Sequence, residues 1–219
     1  MCTRFYINIS DAELQDIVSA AENSALAKKF QTAGDPLCTS GEIFPTNVVP
    51  VIASSRAGRR SVFPMKWGYS LKGRSGKDRD SGRGSLLVNA RAETAGEKVT
   101  FRDSWKSHRC IVPASHYFEW EHVHEGGHPQ GSTGSIQKIK YAIQPKGSAI
   151  TWLCGLYRME DGYPHFVVLT RPPAEDIAFI HDRMPLILPE EKIADWIDPE
   201  KDPARIISSA VNDVVFEQV

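Results

Sequence analysis

Residues 109–122 read RCIVPASHYFEWEH. An apolar, β-branched run at 110–112 gives way to an aromatic-rich run at 116–122, and both have the composition of strands. Strand signals continue downstream at 138–144, 149–157 and 164–170 and precede it at 48–53, 61–69 and 86–90, while residues 2–9 (CTRFYINI) form a short opening strand. Many short strands with few helices predict an α+β fold, built on a curved, barrel-like, mostly antiparallel sheet with peripheral helices. Ser10 is expected to cap the first helix, with Glu13 completing a capping box and Leu14, Ile17, Val18 and Ala21 forming its apolar stripe. A second helix is expected over about 92–106. Pro172 and Pro173 open a third that ends near His181, and Pro189 opens a fourth through Ile193 and Trp196. Residues 33–47 read as loop, as do the glycine-rich stretches KGRSGKDRDSGRG (72–84) and EHVHEGGHPQGSTGS (121–135). With no internal repeat and no linker, residues 1–219 are expected to form a single domain.

Composition narrows the functional classes. A net charge of −1 excludes binding to nucleic acid by global charge, so any such contact needs a local basic surface. The 41% apolar and 24% charged content is that of an ordinary globular chain. Cys2, Cys38, Cys110 and Cys154 are scattered without disulfide spacing. No secretory signal or bilayer-length apolar run is present, so no membrane partner is expected and a reducing cytosol is the simplest location. Monomer is the default oligomeric state.

The motif residues support more than one reading each. Glu119 lies between Phe118 and Trp120. A carboxylate among aromatics tends toward a raised pKa suited to proton transfer. Strand alternation equally allows Glu119 to point outward between inward aromatics, and the segment leaves both readings open. In LVNARAET (87–94), Asn89 and Arg91 stand two apart and leave one face of a strand, with Glu93 continuing that face if the strand extends so far. An Arg there suits phosphate, although a solvated edge would look similar. In FIHDRMPLIL (179–188), His181, Asp182 and Arg183 sit where a helix meets a strand-like run. His181 is a natural acid–base group, but the triplet alone is a weak signal. Asn47 and Pro50 in TNVVP (46–50), and Trp67 in MKWGY (65–69), suit either a base-stacking surface or ordinary core packing. Histidines 122, 124 and 128 have glycines between the last two and no C-x-x-C anywhere in the chain, so no metal site is expected. The basic loop 72–83 is diluted by Asp78 and Asp80 and reads first as a solvated linker.

Cys2 follows Met1 directly. On position alone it is a small buried hydrophobe. Freed of Met1, it becomes a 1,2-aminothiol, with an α-amine of ordinary pKa near 7.7–8.0 that condenses with aldehydes and a sulfur that closes a five-membered thiazolidine. A retained Met1 would hold that nitrogen in an amide and forbid the ring.

Taken in order, MC-x-RF (1–5), NVVP (47–50), WGY (67–69), VNARAET (88–94), RCIVPASHYFEW (109–120) and IHDRMPLIL (180–188) resemble the SOS-response-associated-peptidase (SRAP) domain family, from Cys2 to about Trp196. That resemblance implies a barrel-like α+β domain with a DNA-binding cleft, whose members shield abasic sites in single-stranded DNA. It also implies roles. Cys2 would be the nucleophile toward the sugar aldehyde, Glu119 and His181 the proton-transfer groups, and Asn89 the residue orienting the Cys2 end and the sugar. Arg4, Arg91 and Arg183 would grip phosphates. Asn47, Pro50, Trp67 and Trp120 would line the cleft, with Thr170 a polar site position. The implied partner is single-stranded DNA containing abasic sites, and no cofactor is needed. In a bacterium the implied location is cytoplasmic and nucleoid-associated. Lyase-type chemistry and removal of Met1 by an autopeptidase step are further activities the family suggests. A cysteine-dependent peptidase and a non-covalent single-strand-binding module are the competing functional classes. The chain departs from the family pattern at Thr3, Thr46, Val49 and His116–Tyr117, and its tail after Trp196 is shorter and less typical.

Overall fold

A computed structural model describes residues 2–71, 85–124 and 136–219. In chain order the elements are β1 (Arg4–Ile7), α1 (Ala12–Glu22), α2 (Ala25–Thr32), β2 (Gly41–Ile43), β3 (Val48–Ser54), β4 (Arg60–Trp67), β5 (Tyr69–Leu71), β6 (Ser85–Leu87), β7 (Asn89–Arg91), α3 (Ala92–Ala95) and α4 (Arg102–Ser107). They continue as β8 (Arg109–Ala114), β9 (His116–His124), β10 (Ile136–Pro145), β11 (Thr151–Glu160), β12 (Tyr163–Arg171), β13 (Met184–Pro185), α5 (Ile193–Ile197), α6 (Pro203–Ile206) and β14 (Val214–Gln218).

Strands β8, β3, β4, β12 and β11 pair in that order, and β11 closes back onto β8, so five strands form a closed barrel. Only the β4–β12 contact in that ring is parallel. The short strands β7 and β13 add to β12, and a second sheet runs β14-β10-β9-β1-β2. The α+β, barrel-like, mostly antiparallel architecture is therefore the one expected. The chain passes from barrel strand β8 into sheet strand β9 across Ser115, whose amide donates to the Tyr6 carbonyl at 2.8 Å. That crossing locks the two sheets together beside the amino terminus. Closure also explains the unbroken apolar reading of β8, buried at every position, because one face fills the barrel and the other meets helices or the second sheet.

Several local expectations are corrected. Asp11 caps α1 in place of Ser10, accepting from the Leu14 amide at 3.1 Å, while the Ser10 amide donates to Asn8 Oδ1. Either residue type serves as a cap, and the Asn8 turn occupies Ser10 first. Glu13 reaches toward Arg60 at 3.9 Å instead of closing a capping box. The helix expected over 92–106 is two pieces, interrupted after Gly96, whose Cα lies so close to Trp105 that an added Cβ would meet the indole at 3.1 Å. The run 61–69 breaks at Gly68 (φ 117°), where a Cβ would strike Leu86 at 2.7 Å. After Pro172 and Pro173 the chain makes only a 3-10 turn at Glu175–Ile177, since the Ala174 amide goes to Met184 Sδ at 3.2 Å and not to a helical carbonyl. The expected loop 33–47 contains β2. Pro189 does precede a helical stretch, a 3-10 turn running into α5. The basic loop 72–83, and 125–135 of the second loop, lie outside the described residues.

Arg109 is 1% exposed. It donates to five carbonyls: Trp105 (2.9 Å), Lys106 (2.6 Å), Trp196 (2.6 Å), Lys201 (3.0 Å) and Asp198. These include terminal carbonyls of α4 and α5, which have no helical N–H of their own. One guanidinium thus ties two peripheral helices to the barrel.

Candidate active site and nucleic-acid interface

The candidate site lies on the seam between the barrel and the second sheet. Register brings its parts together from distant sequence. Strand β1 pairs with β9 (Arg4↔Phe118, Phe5↔Tyr117), and β7 pairs with β12 (Val168↔Asn89, Thr170↔Arg91). The Asn89 side-chain amide then spans the seam and donates to the Cys2 carbonyl at 2.7 Å. Trp67 supports this strand from below, its Nε1 donating to the Val88 carbonyl at 2.9 Å.

Cys2 is fully buried, and its S–H donates to the Arg4 carbonyl at 3.6 Å. Burial pushes the thiol well above its ordinary range, and the Glu119 charge pushes it further. Glu119 is 3% exposed, so strand alternation turns it inward, on the same face as Tyr117. Burial raises its carboxyl to about 7, with Asp182 adding to the rise and the positive amino terminus opposing it. His181 is half-buried, and burial lowers it below the ordinary imidazole range. Its Nδ1 lies 3.0 Å from the Arg183 amide and 2.8 Å from Asp182 Oδ1. These contacts ask opposite things of Nδ1. The amide is fixed by the backbone, whereas the Asp182 side chain is 83% exposed and turns freely to water, so Nδ1 accepts and the neutral ring carries its proton on Nε2.

Above these groups lies a 440 Å³ cleft lined by Thr3, Arg4, Glu119, Trp120, His122, Lys138 and His181. Arg4 stacks over Phe44 (4.4 Å) and Trp120 (5.3 Å) and pairs with Glu42 at 3.0 Å. Lys140 shares Glu42 at 3.2 Å. Burial works against ionisation of Glu42, but the Arg4 and Lys140 hydrogen bonds hold it below the usual carboxylate range. Beside the cleft, Arg183 makes a two-pronged contact with Glu93 (2.6 and 2.9 Å) and donates to the Thr170 carbonyl at 2.7 Å. That pairing, chiefly the hydrogen bond, keeps the Glu93 carboxyl low.

The structure therefore gathers Cys2, Arg4, Asn89, Glu119, Trp120 and His181, with Arg183, Thr170 and the exposed Arg91 adjoining through β7 and β12. It does not bring in the rest. Trp67 is 0% exposed, packed between Phe5 (5.1 Å) and Phe166 (6.0 Å), so core packing corrects its expected place in the cleft lining. Pro50 is buried in register with Pro64 and is likewise no lining residue. Asn47 accepts from the Phe44 amide at 2.8 Å and holds a turn through Thr46 (φ 77°). Thr170 is fully buried and reaches the cleft only through Arg183. Sequence reasoning missed Lys138 and the acidic partner Glu42, and it placed Glu93 on the Asn89–Arg91 face without pairing it to Arg183. Register with His122 would have found Lys138, but Glu42 carries no sequence signal. Among the described residues no three His, Cys, Asp or Glu side chains converge as metal ligands, and His128 lies outside them. No described helix is long and apolar enough to cross a membrane.

The family model described as SOS response associated peptidase (SRAP) matches residues 1–217, past the Trp196 limit expected from motifs. The chain is 36% identical over 127 residues to "Abasic site processing protein YoaM" of Bacillus subtilis (strain 168), a match covering 56% of this chain and 52% of that one. It is 26% identical over 162 residues to "Abasic site processing protein YedK" of Escherichia coli (strain K12), covering 70% and 64%. Thus the chain spans about half to two thirds of the length of these curated relatives. A crystal structure of a protein from Bacteroides thetaiotaomicron superposes with a TM-score of 0.69 at 26% identity, over 98% of this chain and 91% of that one. A phage-related protein from Bordetella bronchiseptica shares the fold, with a TM-score of 0.68 at 19% identity over 100% and 94% of the two chains.

Proposed function

The chain belongs to the SRAP family, and on that premise we propose that it processes abasic sites in DNA, capturing the open-chain sugar aldehyde as a thiazolidine on Cys2. The observation that carries this reading is the seam itself. Asn89 pins the Cys2 carbonyl at 2.7 Å, and a carboxyl raised to about 7 faces the same cleft as His181. The relatives named as abasic site processing proteins support the substrate class.

Removal of Met1 leaves the Cys2 amine free. The amine adds to the aldehyde carbon, and loss of one water gives the imine. Glu119, poised near neutrality, serves as donor to the departing hydroxyl and then as acceptor for the Cys2 S–H proton. The sulfur pair forms the C–S bond while the C=N π pair of the protonated imine moves to its nitrogen, which becomes the neutral amine of the closed ring. Neutral His181, with its proton on Nε2, is a hydrogen-bond donor at the cleft wall. The ring consumes the aldehyde that would otherwise drive β-elimination and strand breakage. Arg4, Lys138 and Arg91 supply the local basic surface that net charge does not, and Trp120 offers a stacking face, a combination suited to single strands.

A cysteine peptidase pairs its sulfur with imidazole. Here the Cys2 S–H donates to the Arg4 carbonyl, and His181 Nδ1 faces Asp182 and Arg183, which favours aldehyde capture. Incubating Met1-processed protein with an abasic-site oligonucleotide tests the reading on a denaturing gel. A heat-stable adduct absent from Cys2→Ala is expected. Binding that is salt-sensitive, equal in Cys2→Ala and never heat-stable would overturn it.

A further inference from the structure

Tyr117 carries a feature the proposed mechanism leaves unused. Its side chain is 0% exposed, yet its hydroxyl has no hydrogen-bond partner among the described residues. Buried hydroxyls are nearly always paired, because an unpaired one forfeits its hydration with nothing in return. The hydroxyl is not stranded in hydrocarbon remote from the site. Tyr117 lies opposite Phe5 in the β1–β9 ladder and shares the buried cluster of Cys2 and Phe5. Two residues along the same strand face stands Glu119.

The chemistry of the neighbouring sulfur supplies the missing partner. The fully buried Cys2 thiol must lose its proton to attack, and a thiolate there is opposed both by burial and by Glu119. A neutral O–H donor aimed at the sulfur would offset that opposition without adding a charge that must itself be buried. Tyr117 keeps its proton throughout the neutral range. Burial first, and then the charges of Cys2 and Glu119, push its ionisation far up, with Arg171 opposing. We infer that Tyr117 is a further catalytic residue, whose hydroxyl donates a hydrogen bond to the Cys2 sulfur as it becomes a thiolate and holds it in line for ring closure. The S–H proton passes to the Glu119 carboxylate, the sulfur lone pair forms the C–S bond, and Tyr117 gives up no proton.

The inference rests on the proposed function for its role in ring closure, and the test separates the two. Tyr117→Phe keeps the ring and removes only the oxygen. In the processed protein, alkylation of Cys2 by iodoacetamide is followed against pH by peptide-resolved mass spectrometry. Its midpoint should rise by about one pH unit, a tenfold fall in rate at fixed pH. With abasic oligonucleotide, borohydride-trappable imine should form at the wild-type rate while the heat-stable ring closes several-fold more slowly. The melting temperature should hold or rise, since a buried hydroxyl without a partner is lost. An unchanged alkylation profile overturns the inference whatever the DNA result. If wild-type protein captures no abasic DNA but Tyr117→Phe still slows alkylation, the proposed function falls and the Tyr117–sulfur contact stands.

Discussion

The Asn89 side-chain amide donates to the Cys2 carbonyl at 2.7 Å, joining residues 87 positions apart in the chain. This bond ties Cys2 to barrel strand β12 through β7. Without it the first residues of the chain keep the β1–β9 ladder and the packing of Phe5 on Trp67 but lose a polar tie to the barrel. Asn89→Ala should therefore slow adduct formation by at least tenfold, while stability falls by only about 1 kcal/mol, the net worth of a typical hydrogen bond. Gel time courses beside urea unfolding separate the two effects. Asn89→Asp should be slower still, because a carboxylate repels the carbonyl it replaces a donor for.

Glu119 sets a pH signature. Its folded pKa, about 7, is raised from 4.5, so the native state binds the extra proton between those values. Its contribution to stability is fully present below pH 4.5 and is lost as pH rises through 7, an effect on the order of 3 kcal/mol. His181, lowered by burial, acts in the opposite sense, its penalty disappearing as pH rises toward 6.5. Glu119→Gln should flatten the fall in stability between pH 5 and 8 and raise stability at neutral pH, while slowing adduct formation. Urea midpoints at several pH values check this.

Arg183 is occupied in the resting protein by Glu93, with contacts at 2.6 and 2.9 Å. A phosphate must displace that carboxylate to use the guanidinium. Glu93→Gln should accordingly tighten single-stranded DNA binding several-fold and steepen its salt dependence by about one phosphate contact. Arg183→Ala should do little to the salt slope. Fluorescence anisotropy across a salt series reads both.

Arg109 is predicted to matter for stability and not for chemistry. It satisfies five carbonyls on segments contributed by α4 and the α5–α6 region. Arg109→Lys keeps the charge but loses the planar fork, leaving buried carbonyls without donors. A loss of about 3 kcal/mol or more is expected in urea unfolding, with adduct chemistry intact in the folded fraction.

The fold was legible because its strands announce themselves. The β8 and β9 runs, the β10–β12 runs and the split at Ser115 all follow from composition. The closure of β11 onto β8 was not legible, since it depends on pairings between strands more than 35 residues apart. At the site, only the resemblance drew Cys2, Asn89, Glu119 and His181 together, because no local pattern links residues so far apart in the chain. Alternation alone left Glu119 inward or outward, and the structure turns it in because Phe118 packs beneath Lys140 (3.7 Å) on the opposite face. Trp67 and Trp120 look alike in sequence, each flanked by polar or small residues, yet one is sealed in the barrel and the other lines the cleft. Burial on that scale is decided by the second sheet, which no local pattern encodes. In sequence Tyr117 is part of a departure from the family pattern at His116–Tyr117, and the burial of its hydroxyl without a partner among the described residues is visible only in the structure.

The most direct measurement is an intact mass spectrum of Met1-processed protein after reaction with an abasic-site oligonucleotide, without added reductant. The mass should equal protein plus oligonucleotide less one water, survive heating, and disappear in Cys2→Ala. Persistence of the same adduct in Cys2→Ala, or no covalent species from the processed wild type, would contradict aldehyde capture by Cys2.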